Sequence, residues 1–335
     1  MGFLYKPVNV QYYIRHIGRC SSTVEHGFRK AGVEGSNPSI GCVNLQEKYK
    51  SLQQILKRLG KVVIAYSGGV DSTFLLKAAV DTLGVENVLA CIGVSPSLAK
   101  SQYKQAVKNA KDIGATLRTI KLNEMADAKF IANSPDRCFH CKSHLLRILS
   151  GIAKKENFNC VVCGNNFDDK DDFRPGSRAI KLFAARSPLA EAKLTKNDIR
   201  RLSRQMNLPT ADMPASPCLA SRISYGLEIT ESRLKQIEQA EDFLRTFGLV
   251  EFRVRHHDTI ARIEVSPQDI EKITTEPTRS KIVKRLKSLG FKFVTVDLQG
   301  FRSGSLNEQL LDKASKSKIG HEDTKAQKTK FLDTD

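Results

Sequence analysis

The feature that most constrains the fold is a short segment, rich in glycine and hydroxyl groups, about one fifth of the way along the chain. It reads Ser67, Gly68, Gly69, Val70, Asp71 and Ser72. The apolar run at 62–66 before it predicts a buried strand, and the amphipathic run at 73–80 after it predicts a helix. Glycine lets a backbone approach an anion closely, and a helix N-terminus presents unpaired N–H groups. The segment therefore predicts a phosphate-binding turn between a strand and a helix.

This turn lacks the lysine of the Walker A pattern, Gly-x-x-x-x-Gly-Lys-Ser/Thr. It resembles instead the PP-loop of enzymes that split ATP into AMP and pyrophosphate, and so activate a substrate oxygen by adenylation. An ordinary glycine turn before a helix is the alternative interpretation. Because strand, turn and helix are all in place, we favour a nucleotide site at residues 67–72.

Composition restricts the class of protein. The 335 residues can hold a full α/β domain and a smaller one. No apolar run reaches the roughly 18 residues of a membrane span and no signal peptide is evident, so we expect a cytoplasmic protein without a membrane partner. Eight scattered cysteines indicate reduced thiols rather than a disulfide scaffold.

The net charge of +18 suits RNA or a substrate with phosphates and carboxylates, and a solvated lysine-rich surface is the alternative. No basic stretch is interleaved with aromatic residues, and we therefore regard a nucleic-acid partner as a poor fit.

The two ends of the chain lack the apolar periodicity of a fold. Residues 1–42 contain the run Gly35-Ser36-Asn37-Pro38, which resembles the translated T-arm of a transfer-RNA gene. We expect this segment to be spurious, with a true start near Val43, and a real disordered arm is the alternative. Residues 313–335 are polar and charged and predict a disordered tail.

Between these ends, strands alternate with helices and then the pattern changes. The predicted helices of the first part are 45–59, 101–113, 142–155 and 194–206, and its strands are 62–66, 88–94, 116–122 and 159–163. This alternation predicts a PP-loop ATP-pyrophosphatase domain at 43–227, with a Rossmann-like parallel sheet and helices on both faces. A small α+β domain for substrate binding or oligomerisation follows at 228–312. Its predicted elements are helices 230–247 and 279–289 and strands 250–255, 260–265 and 291–296.

Three cysteines form a candidate metal site. Cys138 and Cys141 are a C-x-x-C pair, and Cys218 lies far along the chain. A structural zinc would need a fourth ligand, for which His140 or His144 can be proposed. A cubane 4Fe–4S cluster on three cysteines would leave one iron open, which suits sulfur transfer.

The loop after the fourth predicted strand carries Gly164, Asp168 and Asp169. Ligands of an open parallel sheet bind beyond the carboxyl ends of its strands. We therefore expect the two carboxylates to hold magnesium near the phosphates, with Gly164 at the nucleotide. A solvated turn is the alternative.

Four arginines are candidate anion ligands. Arg174 follows the loop that carries the two carboxylates, and Arg222 follows Cys218. Either arginine suits a phosphate or a carboxylate. Arg253 and Arg255 lie two residues apart on one strand face, where they repel each other unless an anion lies between them.

Residues 45–310 resemble, as a whole, the LarE-type ATP-dependent sulfur transferases of nickel-pincer cofactor synthesis. The matching stretches are 67–72, 135–142 (Pro-Asp-Arg-Cys-Phe-His-Cys-Lys), 164–169, 174–176, 187–189, 217–222 (Pro-Cys-Leu-Ala-Ser-Arg) and 253–255. The resemblance implies a pyridinium bis-carboxylate mononucleotide as substrate, with ATP and magnesium. It also implies a reaction in two steps. A carboxylate is first adenylated, and sulfur then displaces AMP and leaves a thiocarboxylate.

The family has two branches. In one, the cysteine matching Cys218 gives up its own sulfur; in the other, three cysteines hold a 4Fe–4S cluster. Because Cys138, Cys141 and Cys218 are all present, the chain resembles the cluster branch. The resemblance also implies catalytic roles for Asp71, Cys218 and Glu241, and puts Arg253 and Arg255 near the substrate phosphate. It suggests a homo-oligomer that contacts other nickel-pincer proteins or a sulfur donor.

Three other functions remain open from the sequence. A transfer-RNA thiolase shares the PP-loop, the cysteines and the basic charge, but no RNA-binding module is visible. An ammonia-dependent amidating synthetase would not need three cysteines. A non-enzymatic nucleotide-binding or RNA-binding protein would keep the loop without ATP cleavage.

Overall fold

The computed structural model describes residues 44–170 and 176–308. These belong to one compact unit, Val43–Asp335. The predictions for 1–42 and 313–335 lie outside the described residues, as does Arg174. None of the described helices is both long and apolar enough to span a membrane.

The first part of the fold is a parallel sheet of four strands. Its strands are β1 (Val62–Ala65), β2 (Val88–Val94), β3 (Thr116–Lys121) and β4 (Cys160–Cys163), in the order β3-β2-β1-β4. Its helices are α1 (Leu45–Leu59), α2 (Val70–Leu83), α3 (Lys100–Ile113), α4 (Ala128–Ile131), α5 (Arg137–Lys155), α6 (Gly176–Leu182), α7 (Pro188–Glu191) and α8 (Lys196–Gln205). Since β1 is central and all pairings are parallel, the turn after β1 lies in the middle of the carboxyl edge.

Both faces of this sheet are covered, as its strands of almost unbroken apolar residues require. One buried cluster joins the strands to α1, α2 and α8 through side chains such as Leu56, Phe74 and Ile199. The other joins them to α5 and α6 through Leu146, Leu149 and Ile180. The α/β fold predicted from the sequence is confirmed.

The second part is a small α+β unit. Its elements are α9 (Glu231–Arg245), β5 (Phe252–His257), β6 (Ile260–Val265), α10 (Ile270–Thr274), α11 (Thr278–Ser288) and β7 (Phe293–Val296). Strands β5 and β6 are antiparallel, and β6 pairs in parallel with β7. Its core forms between the sheet, α9 and α11.

A further apolar cluster crosses the predicted boundary at residue 227. It combines Ala99 and Phe130 of the first part with Leu234 and Ile237 of α9. Leu219 and Ala220, which follow Cys218, are buried in the same cluster. The loop that carries this cysteine is therefore held between the two parts of the fold.

Candidate functional site

The turn after β1 is held open by its own hydroxyl groups. Ser72 Oγ lies 3.0 Å from Ser67 Oγ and donates to the Gly69 carbonyl at 3.1 Å. Gly68 has φ +75°, and a Cβ there would lie 2.4 Å from the Cβ of Ala106 on α3. Gly69 precedes Val70, the first residue of α2. The N-terminus of α2 therefore faces the carboxyl edge of the sheet with unpaired N–H groups, as a phosphate site requires.

Gly164 fixes this turn from the neighbouring strand. A Cβ on Gly164 would come within 3.0 Å of both the N and the Cα of Ser72. Since those atoms are backbone, a larger residue at 164 would push the start of α2 away. The structure thus gives Gly164 a close-packing role beside the nucleotide turn.

Asp71 points one carboxylate oxygen at a lysine and leaves the other without a partner. Its Oδ2 accepts from Lys196 Nζ at 2.7 Å, and its buried Oδ1 has no hydrogen-bond partner within the described residues. The backbone N–H of Lys196 donates to Asp168 Oδ2 at 2.8 Å. Lys196, for which no role was predicted, thus brings Asp71 and Asp168 to one place. A buried carboxylate oxygen without a donor fits a magnesium ligand.

The two acidic residues after β4 differ in their described contacts. Asp168 meets the first turn of α8 through Lys196, whereas Asp169 Oδ2 accepts from the backbone N–H of Asn166 at 3.0 Å. Asn166 is itself buried. The magnesium roles of Asp168 and Asp169 stay predictions.

The three candidate cysteines lie within electrostatic range of one another. Cys138 and Cys141 lie at the N-terminal end of α5. This helix begins at Arg137, five residues before the helix predicted from the sequence. Burial raises the pKa of Cys141 well above its usual value, and Glu124, Cys218 and Cys138 raise it further. Burial and Cys138 also raise the pKa of Cys218, whereas Arg137 lowers it. The side chains therefore form one group, here called the cysteine triad.

A buried carboxylate adjoins this triad. Glu124 Oε1 accepts from Cys141 Sγ at 2.6 Å, and Oε2 accepts from Ser95 Oγ and Ser97 Oγ at 2.5 and 2.8 Å. The Ser97 carbonyl in turn accepts from Leu219 N at 2.8 Å. The ends of β2 and β3 are thereby linked to both parts of the triad. Glu124 was missed from the sequence, although its place just after a strand of the carboxyl edge was a usable signal.

Within residues 44–170 and 176–308, no three or more His, Cys, Asp or Glu side chains converge closely enough to hold a single metal ion. A cubane cluster makes a different demand, because its cysteines bind separate irons and are spread over a larger volume. Three thiols within electrostatic range of one another, with Cys138 exposed and Cys141 and Cys218 partly buried, fit that donor set.

Two of the predicted arginines are paired with buried carboxylates. Arg222 donates to both oxygens of Glu241, at 3.0 and 3.2 Å, and to the carbonyls of Pro217 and Cys218. It thus ties the loop of Cys218 to α9. Arg255 donates to Glu264 Oε2 at 2.9 Å, and Glu264 is fully buried on β6.

Arg253 differs from Arg222 and Arg255 in its contacts. It is 7% exposed, donates to the carbonyls of Phe252 and Ala215, and stacks 5.0 Å from the ring of Phe301. No carboxylate of the described residues lies within salt-bridge distance of its guanidinium. Burial, with the nearby charge of Arg222, lowers its pKa to about 10. A buried cation without a counter-ion is a strong candidate ligand for an anion.

A cavity of about 190 Å³ is lined by Arg253 and by two residues of the loop that carries Cys218, Pro217 and Ser221. The residues that line it and enter the argument below are Arg137, Pro217, Ser221, Tyr225, Arg255 and Arg302. Because Pro217 and Ser221 flank Cys218 and Arg137 adjoins Cys138, the cavity opens next to the cysteine triad. The arrangement can hold an anionic small molecule beside a group of thiols.

Comparisons with known proteins show which family the chain resembles. A family model described as NAD synthase matches residues 44–143, the segment that contains the turn and the first cysteines. The chain is 41% identical over 266 residues to an uncharacterized protein of Synechocystis sp., covering 79% of this chain and 99% of the relative.

Two further relatives have named activities. Identity is 36% over 266 residues to the pyridinium-3,5-bisthiocarboxylic acid mononucleotide synthase of Lactiplantibacillus plantarum, covering 79% of this chain and 96% of the relative. It is 27% over 162 residues to the NH(3)-dependent NAD(+) synthetase of Chlorobaculum tepidum, covering 47% of this chain and 57% of the relative. Because the match covers nearly all of the Lactiplantibacillus relative, the chain belongs to the LarE-type family of PP-loop proteins.

Proposed function

We propose that this chain is an ATP-dependent sulfur transferase that converts a carboxylate of a pyridinium bis-carboxylate mononucleotide into a thiocarboxylate, in nickel-pincer cofactor synthesis. The observation that carries the proposal is the cysteine triad beside an arginine-lined cavity, at the edge of the sheet where the PP-loop lies. The activity named for the Lactiplantibacillus relative, a pyridinium-3,5-bisthiocarboxylic acid mononucleotide synthase, supports the substrate class.

The first step is adenylation. The substrate carboxylate attacks the α-phosphorus of ATP, and the bond to pyrophosphate breaks. Residues 67–72 bind the phosphates through the N-terminus of α2. Asp71, with its unpartnered Oδ1, and the neighbouring Asp168 would hold the magnesium ion that neutralises them.

The second step is sulfur transfer. Sulfur attacks the activated carbonyl carbon and AMP leaves with the electrons of the broken C–O bond. Cys138, Cys141 and Cys218 would hold a 4Fe–4S cluster, whose remaining iron supplies a site for sulfide. In the alternative chemistry Cys218 gives its own sulfur and is consumed.

The substrate is bound by charge. Arg253 has no carboxylate partner among the described residues and so remains available to the substrate phosphate. Arg255 is held beside it by Glu264, and Glu241 holds Arg222 against the carbonyl of Cys218. Buried pairs of this kind fix the geometry of a site. The homo-oligomer, the contact with other biosynthesis proteins or a sulfur donor, and the cytoplasmic location stay predictions.

The NAD synthase match over residues 44–143 favours one second candidate, an ammonia-dependent amidating synthetase. That enzyme would adenylate the same kind of carboxylate and let ammonia displace AMP. It would have no use for the cysteine triad.

Anaerobic product analysis separates the two. The purified protein is incubated with ATP, the bis-carboxylate mononucleotide and either sulfide or ammonia, and the products are identified by mass spectrometry. We expect AMP, pyrophosphate and a thiocarboxylate, which Cys141→Ser should abolish and Cys160→Ser, a cysteine outside the triad, should preserve. An amide product formed equally by both variants would overturn the proposal in favour of the synthetase.

A further inference from the structure

The arginines of the cavity differ in how their charges are balanced. Four line it: Arg137, Arg253, Arg255 and Arg302. Arg255 is paired with Glu264, and Arg302 lies 3.2 Å from Glu308 and 3.7 Å from Asp297. Arg137 and Arg253 have no carboxylate within 4.0 Å among the described residues. The cavity therefore contains two buried positive charges that no carboxylate of residues 44–170 and 176–308 neutralises.

Arg137 is the less expected of the two, because no role was assigned to it from the sequence. It is only 3% exposed, although it begins α5 directly before Cys138. Its guanidinium donates to Asn133 Oδ1 through Nη1, and its buried Nε has no hydrogen-bond partner among the described residues. An unsatisfied buried N–H on a charged group costs free energy, so such a group is normally found where a ligand completes it.

The guanidinium is held rigidly in place. Asn133 Nδ2 donates to the carbonyls of Ser224 and Leu227 at 2.8 and 2.9 Å, which turns its Oδ1 toward Arg137. On the other side, the ring of Tyr225 stacks 4.9 Å from the guanidinium carbon. The hydroxyl of Tyr225 donates to Asn307 Oδ1 at 3.0 Å. A planar cation fixed on a ring and along one edge is prepared to bind a planar anion such as a carboxylate.

We propose that Arg137 binds a ring carboxylate of the substrate while Arg253 binds its phosphate, so that the cavity selects a mononucleotide with an anionic ring. This inference rests on the proposed function. Because Arg137 adjoins Cys138 and its charge acts on the Cys218 thiol, an anionic ring bound there lies beside the cysteine triad. Arg137 thus makes the ring charge, and not only the phosphate, a condition for binding at the sulfur site.

The test is a binding measurement with two matched probes, nicotinic acid mononucleotide and nicotinamide mononucleotide. They carry the same phosphate and differ in a ring carboxylate against a ring carboxamide. Calorimetry on the anaerobically purified protein, without ATP or sulfide, should show tighter binding of the acid by at least about tenfold, as expected for a charge-assisted pair. Arg137→Gln should remove this preference, and Arg253→Gln should weaken both probes to the same extent.

Arg302→Gln is the matched control, because Arg302 lines the same cavity but is already paired; it should keep the preference. Melting temperature and the absorbance spectrum report whether a variant keeps its fold and its cofactor, and Arg137→Met, which also removes the charge, replaces Arg137→Gln if that variant does not fold. A wild-type protein without preference would overturn the inference. So would an Arg137 variant that keeps the full preference or loses both probes equally. This binding assay does not measure sulfur transfer. A protein that does not transfer sulfur can therefore still show the preference for the acid, and the two proposals can fail separately.

Discussion

The PP-loop and the arginine-lined cavity lie in the same compact unit but are built in opposite ways. The PP-loop is one contiguous segment, residues 67–72, whose hydroxyls and backbone hydrogen-bond to each other. The cavity takes its side chains from α5, the loop around Cys218, β5 and the segment at 301–307. The first site is therefore a property of local sequence, whereas the second exists only when distant parts of the chain have folded together.

The two sites also differ in whether their charged side chains are paired. The PP-loop offers N–H groups and the partly neutralised Asp71, which is paired with Lys196. The cavity keeps Arg253 and Arg137 buried, with no counter-ion in the part of the chain that the structure describes. Buried unpaired charge is destabilising, and it is tolerated where binding of an anion recovers the loss. Variants in each region should accordingly fail in different ways.

The largest expected effect tests the local site. Asp71→Ala removes the carboxylate at the start of α2 and should lower pyrophosphate release by about a thousandfold, since charge stabilisation at transferring phosphates is lost. The fold should be retained. Asp81→Ala removes an exposed acid from the same helix and should leave the rate unchanged. Equal rates for Asp71→Ala and wild type would disprove the nucleotide assignment.

The second prediction tests the long-range assembly. Glu241→Ala leaves Arg222 buried without its counter-ion, and the Val254 N–H without its acceptor. We expect a loss of about 3–5 kcal/mol in the free energy of unfolding, measured by urea titration. Asp242→Ala, at the next and exposed position, is the control and should change stability by less than about 0.5 kcal/mol. If the two variants unfolded alike, the pair would not hold the cavity together.

The third prediction concerns pH and the strand that carries the cavity arginines. Burial lowers the pKa of His256 on β5 from 6.5 to about 4. Between these two values the unfolded chain binds a proton that the folded protein excludes, so stability should fall as the pH falls from 6.5 toward 4. The loss for this group approaches about 3 kcal/mol at pH 4. Burial also lowers the pKa of His257, which adds to the same slope.

His256→Gln should flatten this slope, as measured by thermal unfolding at a series of pH values. A variant with the same dependence as wild type would show that other groups cause it.

The smallest effect concerns the contact between β4 and the PP-loop. Gly164→Ala places a Cβ 3.0 Å from the backbone of Ser72 and should weaken ATP binding by about tenfold, at a cost of about 1–2 kcal/mol. Gly151→Ala lies on α5 with nothing within 4 Å, and should stabilise the protein by about 0.5–1 kcal/mol. Reversed signs for the two variants would contradict the packing described here.

This contrast also explains what the sequence could predict. The elements of the sheet were predicted within a few residues, β2 and β6 without error, because uniform apolar runs and alternation carry their signal locally. The start of α5 was placed at 142 rather than 137, since its first turn of Arg, Cys, Phe and His has no apolar periodicity. The short helices α4, α6 and α7 have too few residues to show one.

The PP-loop could be predicted because its residues are adjacent, but Arg137, Glu124 and Lys196 could not. Each is a single charged residue that the sequence alone does not distinguish from a solvated one. Their roles come from contacts with residues that are distant in the sequence. Glu124 contacts Cys141, 17 residues away, and Lys196 contacts Asp71, 125 residues away. Arg253 and Arg255 were predicted as an anion-binding pair, yet Arg255 finds its anion in Glu264 of the opposite strand.

The cysteine triad should act as one sulfur site for repeated ATP-dependent transfer. The most direct test is mass spectrometry of both product and protein after anaerobic turnover with supplied sulfide. We expect more than one thiocarboxylate per chain and an unchanged residue 218. One thiocarboxylate per chain, with Cys218 converted to dehydroalanine, would contradict it.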